Sequence, residues 1–68
     1  MINVETIGFW AGQVWNALDT NGTQGVKAIK KATKLKEKEI YAALGWLARE
    51  GKVNITDDEA DVIVALIG

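Results

Sequence analysis

The stretch Lys36–Val53, KEKEIYAALGWLAREGKV, constrains the fold of this chain more than any other. Its apolar residues recur with a helical period. With Ile40 at the centre of one face and about 100° per residue, Leu44 and Leu47 fall within about 40° of it, and Ala43 lies close by. The opposite face carries Lys38, Ala42, Gly45 and Arg49, small in its middle and basic at its ends. Gly51 supplies the left-handed residue that commonly ends a helix. From Lys52 to Thr56 polar and apolar residues then alternate, as in a half-buried strand. An amphipathic helix over about 36–50, a glycine stop and a strand follow from these patterns. A helix with one apolar face must bury it, so the remaining residues have to provide its partners.

The preceding residues supply them. Asn3 is positioned to cap a helix over about 4–19, whose stripe is Ile7, Ala11, Val14 and Leu18. Trp10 and Trp15 flank this stripe on opposite sides, and core packing is the expectation for both. Phe9 falls almost opposite the stripe and is expected to be exposed. Thr20-Asn21-Gly22 is a turn signal, Thr23-Gln24 a very short strand, and a second helix spans about 26–33. In that helix Val26, Ile29 and Ala32 are expected to point inward, and Lys27, Lys30 and Lys31 outward. Lys34-Leu35 reads as a tight turn with Leu35 buried beneath it. Glu37 and Glu39 suit the N-terminal end of the helix dipole, whereas Lys36 is a poor N-cap. Beyond the first strand, Asp57-Asp58-Glu59 is a polar reversal. Asp61 to Ile67 is apolar on both sides, as suits a strand covered on both faces or lying in the middle of a small sheet. The last two strands form a hairpin over about 52–67. With no repeat, low-complexity segment or linker, residues 1–68 read as a single domain.

Composition narrows the chemistry. A chain of 68 residues buries only about 60% of the surface its unfolded form exposes. It has no cysteine and no histidine, so disulfides, thiolate metal sites, the commonest nucleophile and the commonest general base are all absent. Neither a catalytic residue nor a cofactor is expected, and the chain does not read as an enzyme. The cluster Asp57-Asp58-Glu59-Asp61 lacks the spacing and glycine of a calcium loop, so no metal site is expected; a solvated turn that protects the hairpin from aggregation is the simpler reading. Residues 1–20 lack a basic start followed by an apolar block, and no run reaches the length of a membrane span. The expectation is a soluble cytoplasmic protein with no evident small-molecule ligand.

Net charge is −1, but its distribution is uneven. All eight basic residues lie in 27–52 with three acidic ones, for +5, while residues 1–25 carry −2 and 53–68 carry −4. A basic middle between acidic ends fits an anionic partner, and equally fits a solvated lysine-rich helical face.

The order helix, short strand, helix, tight turn, helix, hairpin resembles a winged helix-turn-helix, an α+β, mainly helical fold. Ile29 and Leu35 stand where the first helix and turn of the motif supply core residues, and Ile40 and Leu44 where the second helix locks onto them. Leu47-Ala48-Arg49-Glu50-Gly51-Lys52-Val53 resembles the exit of a recognition helix into a wing. The likeness covers 22–67, and helix 1 completes the usual three-helix core. Two positions depart from the pattern: Lys30, where a small residue is common, and Lys34, where the turn often has glycine. AGQVW in helix 1 together with ALGWLAREGKV is similar to a family of small stand-alone winged helix-turn-helix proteins of bacteria and archaea without an established function.

That resemblance implies a DNA-binding, transcription-regulator-like role. Helix 3 would enter the major groove with Lys36, Lys38, Tyr41, Ala42, Gly45, Trp46 and Arg49, while Lys27, Lys31 and Lys34 contact phosphates. Base reading favours arginine, asparagine or glutamine, and this helix offers one late arginine and no amide. The wing carries Asp57, Asp58, Glu59 and Asp61, which phosphates repel. The alternative is a protein-interaction or self-association module using Trp46 and Tyr41, or Phe9 on helix 1, since tyrosine, tryptophan and arginine are enriched at interface hot spots. Gly45 in mid-helix costs about 1 kcal/mol relative to alanine, and close approach of another group is the expected compensation.

Overall fold

A computed structural model describes residues 2–67. The first helix, α1 (Val4–Asn21), begins at a reciprocal capping box: the Thr6 amide donates to Asn3 Oδ1 and the Asn3 amide to Thr6 Oγ1, each at 2.9 Å. It runs two residues past the expected end. Gly22, at φ 83°, terminates it by donating its amide to the Leu18 carbonyl. The short strand β1 is Gln24–Gly25, one residue later than the sequence suggests, and α2 (Val26–Thr33) follows directly.

Lys34 closes α2 in the left-handed conformation (φ 62°, ψ 17°), donating its amide to the Lys30 carbonyl at 2.8 Å. This explains why glycine is common at that position of the motif: a Cβ there is crowded by the following carbonyl. The Thr33 hydroxyl then accepts from the Leu35 amide at 3.2 Å, which turns Leu35 under the helix pair. The third helix, α3, is Glu37–Arg49, with Lys36 as its N-cap outside the helix. A lysine side chain has no acceptor, and the cap works from the other side: the Glu39 carboxylate accepts from the Lys36 amide at 2.8 Å. At the far end the Gly51 amide (φ 71°) bonds the Ala48 carbonyl and the Lys52 amide the Leu47 carbonyl, each at 3.0 Å. These bonds form a Schellman motif that delivers the chain into β2.

Strands β2 (Val53–Asp57) and β3 (Val62–Leu66) pair antiparallel from Val53↔Leu66 to Asp57↔Val62, and β1 pairs with the other side of β3 through Gln24↔Val64. The sheet order β1-β3-β2 places β3 in the middle, as its two-sided apolar sequence suggests. β2 is less covered than its alternation implies. Val53 is buried, but Ile55 is 39% exposed, because the helices shield only the start of this strand.

The core is apolar throughout. Val14 and Leu18 of α1, Ile29 of α2, Ile40 and Leu44 of α3 and Val64 of β3 are its most completely buried large side chains. Trp10 joins them, but Trp15 lies at the margin and is 36% exposed. Ala32, expected to face inward, is exposed at the margin of the groove between α2 and α1, beside Gln13, Ala17 and Thr20.

One tertiary contact ties the wing to the helices. The N-cap of α2 is Gly25, which has no side chain to satisfy the first amides of the helix. Asp61, on the far side of the hairpin turn, does this instead, its Oδ2 accepting from the Lys27 amide at 3.3 Å and its Oδ1 from the Val62 amide at 2.8 Å. A Cβ on Gly25 would overlap the Asp61 carboxylate, so a larger residue there would displace the cap. The acidic turn is therefore more than a solvated reversal: Asp61 is a remote helix cap, and Asp58 closes the turn through reciprocal backbone bonds with Asp61.

Two stability measurements test these local assignments by chemical denaturation. Lys34→Gly is expected to stabilise the fold by about 1 kcal/mol, since it removes the cost of a left-handed non-glycine residue. Asp61→Ala is expected to destabilise by about 1 kcal/mol through loss of the remote cap, with Asp61→Asn retaining part of it.

Candidate functional site

The residues that the sequence groups into one surface are separated by the fold into three environments. The first is the outer side of α2 and α3. Lys31, Lys34, Lys36, Lys38, Gly45 and Arg49 are all exposed there. Lys30 shares this exposure. Among the described residues the only basic side chain in an ion pair is Lys52, 3.7 Å from Glu50 on an exposed surface. The other basic groups of residues 27–52 have no carboxylate of the described residues within salt-bridge distance.

The second environment is the crease between the start of α3 and the wing. Tyr41 and Lys27 line it together with Glu37, Asp57, Asp58, Glu59 and Asp61, so five acidic residues and one lysine meet there. Tyr41 is 44% exposed but looks onto negative charge, not onto the lysine face. The third is a shallow groove between α1 and α3. Trp46 is half-buried in it against Gly8 and is lined up with Ala11, Gly12, Trp15 and Leu47. Tyr41 and Trp46, about 140° apart around α3, thus stand on different sides of the helix, each beside a different neighbour.

Ala42 departs from expectation as well. It is half-buried and packed against the core, so the bald strip of α3 reduces to Gly45 with Lys38 and Arg49 on either side. Among the described residues, apart from its chain neighbours and the backbone of its own helix, no atom lies within 4 Å of a Cβ built on Gly45, so no other element approaches it closely. Phe9 is exposed, as its position opposite the α1 stripe implies, at 66%. The role of Asp61 escaped sequence reasoning because its partner, the Lys27 amide, lies 34 positions away. No local pattern marks such a pair.

Among the described residues no group of three or more acidic, histidine or cysteine side chains is arranged to hold a metal ion. No helix among them is long and apolar enough to cross a membrane. The candidate site is thus a set of basic, solvent-facing side chains on α2 and α3, with an acidic crease between α3 and the wing.

Because Gly45 has open space around it, Gly45→Ala is expected to stabilise the isolated protein by about 1 kcal/mol, read from the shift in denaturation midpoint. An unchanged or lowered midpoint would show that the backbone there depends on glycine after all.

Comparison with known proteins agrees with this architecture. No curated protein sequence matches the chain. A solved structure, the solution structure of protein BT2368 from Bacteroides thetaiotaomicron, superposes with a TM-score of 0.83 at 28% identity, covering 96% of this chain and 79% of that one. The model of an uncharacterised family, described as a winged helix-turn-helix domain (DUF2582), matches residues 1–66. With the match spanning nearly the whole sequence and the helices, turn and wing in the matching order, this chain belongs to the winged helix-turn-helix domain family DUF2582.

Proposed function

We propose that this winged helix domain is a non-enzymatic nucleic-acid-binding module that engages duplex DNA through the outer face of α2 and α3, in the manner of a transcription regulator. The observation that carries this reading is the set of exposed basic side chains from Lys30 to Arg49 without carboxylate partners among the described residues. Lys31, Lys34, Lys36, Lys38 and Arg49 contact phosphates, and Gly45 lets the sugar-phosphate backbone come close to α3. Lys27, set among the carboxylates of the crease, contributes least. The acidic wing turns away from the duplex. Binding of this kind is dominated by counterion release and reads little sequence, because α3 presents no amide side chain and a single arginine.

A protein-contact role is the second reading, favoured by Phe9, which is exposed on α1 with no basic residue on that helix. The two differ in their dependence on salt.

Fluorescence anisotropy against random-sequence duplex DNA tests the first reading. Micromolar binding at low salt is expected, with log K falling against log salt at a slope of about −4 to −5 if five phosphates are neutralised. Charge reversal at both Lys36 and Lys38 is expected to weaken binding by roughly tenfold or more, and reversal at Lys27 by much less. Absence of binding at tens of micromolar in low salt, or binding indifferent to salt and to Lys36 and Lys38, would sink the proposal.

A further inference from the structure

We infer that the free edge of β2 is a self-association surface, on which a second copy of this chain adds its own β2 antiparallel about a two-fold axis. The inference concerns a surface that the nucleic-acid reading does not use, and it is tested without nucleic acid.

The edge is open, and its one charged residue is the terminal Asp57. β2 is an outer strand of the sheet, and its pairing with β3 is continuous from Val53 to Asp57, with no bulge to twist it away. The chain contains no proline, and β2 itself, Val-Asn-Ile-Thr-Asp, has no lysine and is rich in good strand formers. The opposite edge, β1, is only two residues long and offers little to pair with.

The direction of the free backbone groups follows from the ladder. The Ile67 amide donates to the Lys52 carbonyl at 2.9 Å, which makes that pair a hydrogen-bonded one. By alternation along an antiparallel ladder, Asn54 and Thr56 turn their amides and carbonyls toward β3, and Val53, Ile55 and Asp57 turn theirs outward. Outward groups on alternate residues are what a second antiparallel strand requires.

Charge selects one register. With the two-fold axis at Ile55, Ile55 meets its own copy, Val53 meets Asp57 of the second copy, and all three outward-facing residues of each strand find hydrogen-bonding partners. Asn54 then stands opposite Thr56, and Lys52 opposite Asp58, twice by symmetry. Sliding by two residues one way sets Asp58 against Glu50; sliding the other way sets Lys52 against Ala60. The centred register is the one that places opposite charges together at both ends. It also covers Ile55, the apolar side chain of β2 left 39% exposed in the single chain.

Sedimentation equilibrium from micromolar to millimolar concentration, with amide hydrogen exchange followed by NMR over the same range, tests this. Reversible dimerisation is expected, with exchange at Val53, Ile55 and Asp57 slowing as concentration rises while Asn54 and Thr56 stay protected throughout. Ile55→Pro removes an outward amide without touching the β3 ladder and is expected to leave a folded monomer. Lys52→Glu or Asp58→Lys alone is expected to weaken dimerisation by roughly tenfold, and the two together to restore it to within about threefold. The charge exchange carries the test should the proline variant fail to fold. A strict monomer at millimolar concentration overturns the inference. So does a dimer in which the Val53, Ile55 and Asp57 amides exchange as in the monomer, or one in which the double variant does not recover.

Discussion

The packing of the inner face of α3 onto α1 is the interaction on which the rest of this molecule depends. Ile40, Leu44 and Leu47 meet Val14 and Leu18 with Ile29 beneath, and no polar or charged residue is buried among them. A chain of this size has little apolar area to spare, and without cysteine it has no covalent supplement. Its stability therefore rests on side-chain burial between helices that would be marginal alone. The turn at Lys34 and the exit at Gly51 serve that contact. The first sets the angle at which α2 hands over to α3, and the second releases the chain into the sheet once the apolar face of α3 is spent.

The wing is attached to this core by a polar device as well as an apolar one. Val64 anchors β3 in the core, and Asp61 reaches across to the unsatisfied amides at the start of α2. Negative charge is favourable at a helix N-terminus, so the carboxylate suits its place twice over. The consequence for function is electrostatic. Five acidic residues gather in the crease between α3 and the wing, which gives that side of the domain a negative field. The basic residues stand instead on the outer faces of α2 and α3. The carboxylate that the α2 N-terminus needs thus lies in the acidic crease and not among the exposed lysines of α2 and α3.

Much of this was legible from residue order. Element types, the middle position of β3, the buried face of α3 and the exposure of Phe9 all follow from period and spacing, because a helix or strand sorts its own residues by face. Errors arose where a second element decides the outcome. Ala42 lies opposite the α3 stripe yet is half-buried, and Trp15 lies beside the α1 stripe yet is exposed. Ile55 alternates as a half-buried strand should, but the helices cover only the first residue of β2. Lys36 looked an unsuitable cap until Glu39 supplied the acceptor from within the helix.

The sequence by itself determined the fold family and the inner faces, since hydrophobic periodicity, glycine stops and turn residues act over a few neighbouring positions. It also determined that basic charge is confined to the middle of the chain. Only the tertiary structure decided how the outer residues are shared. It gave Tyr41 to an acidic crease and Trp46 to the α1 groove, left Gly45 unapproached by any other described element, and made Asp61 the cap of a helix 34 residues away. The physical reason is range: burial along one element is encoded by its own period, whereas the field and contacts at a surface are summed over every element that folds beside it.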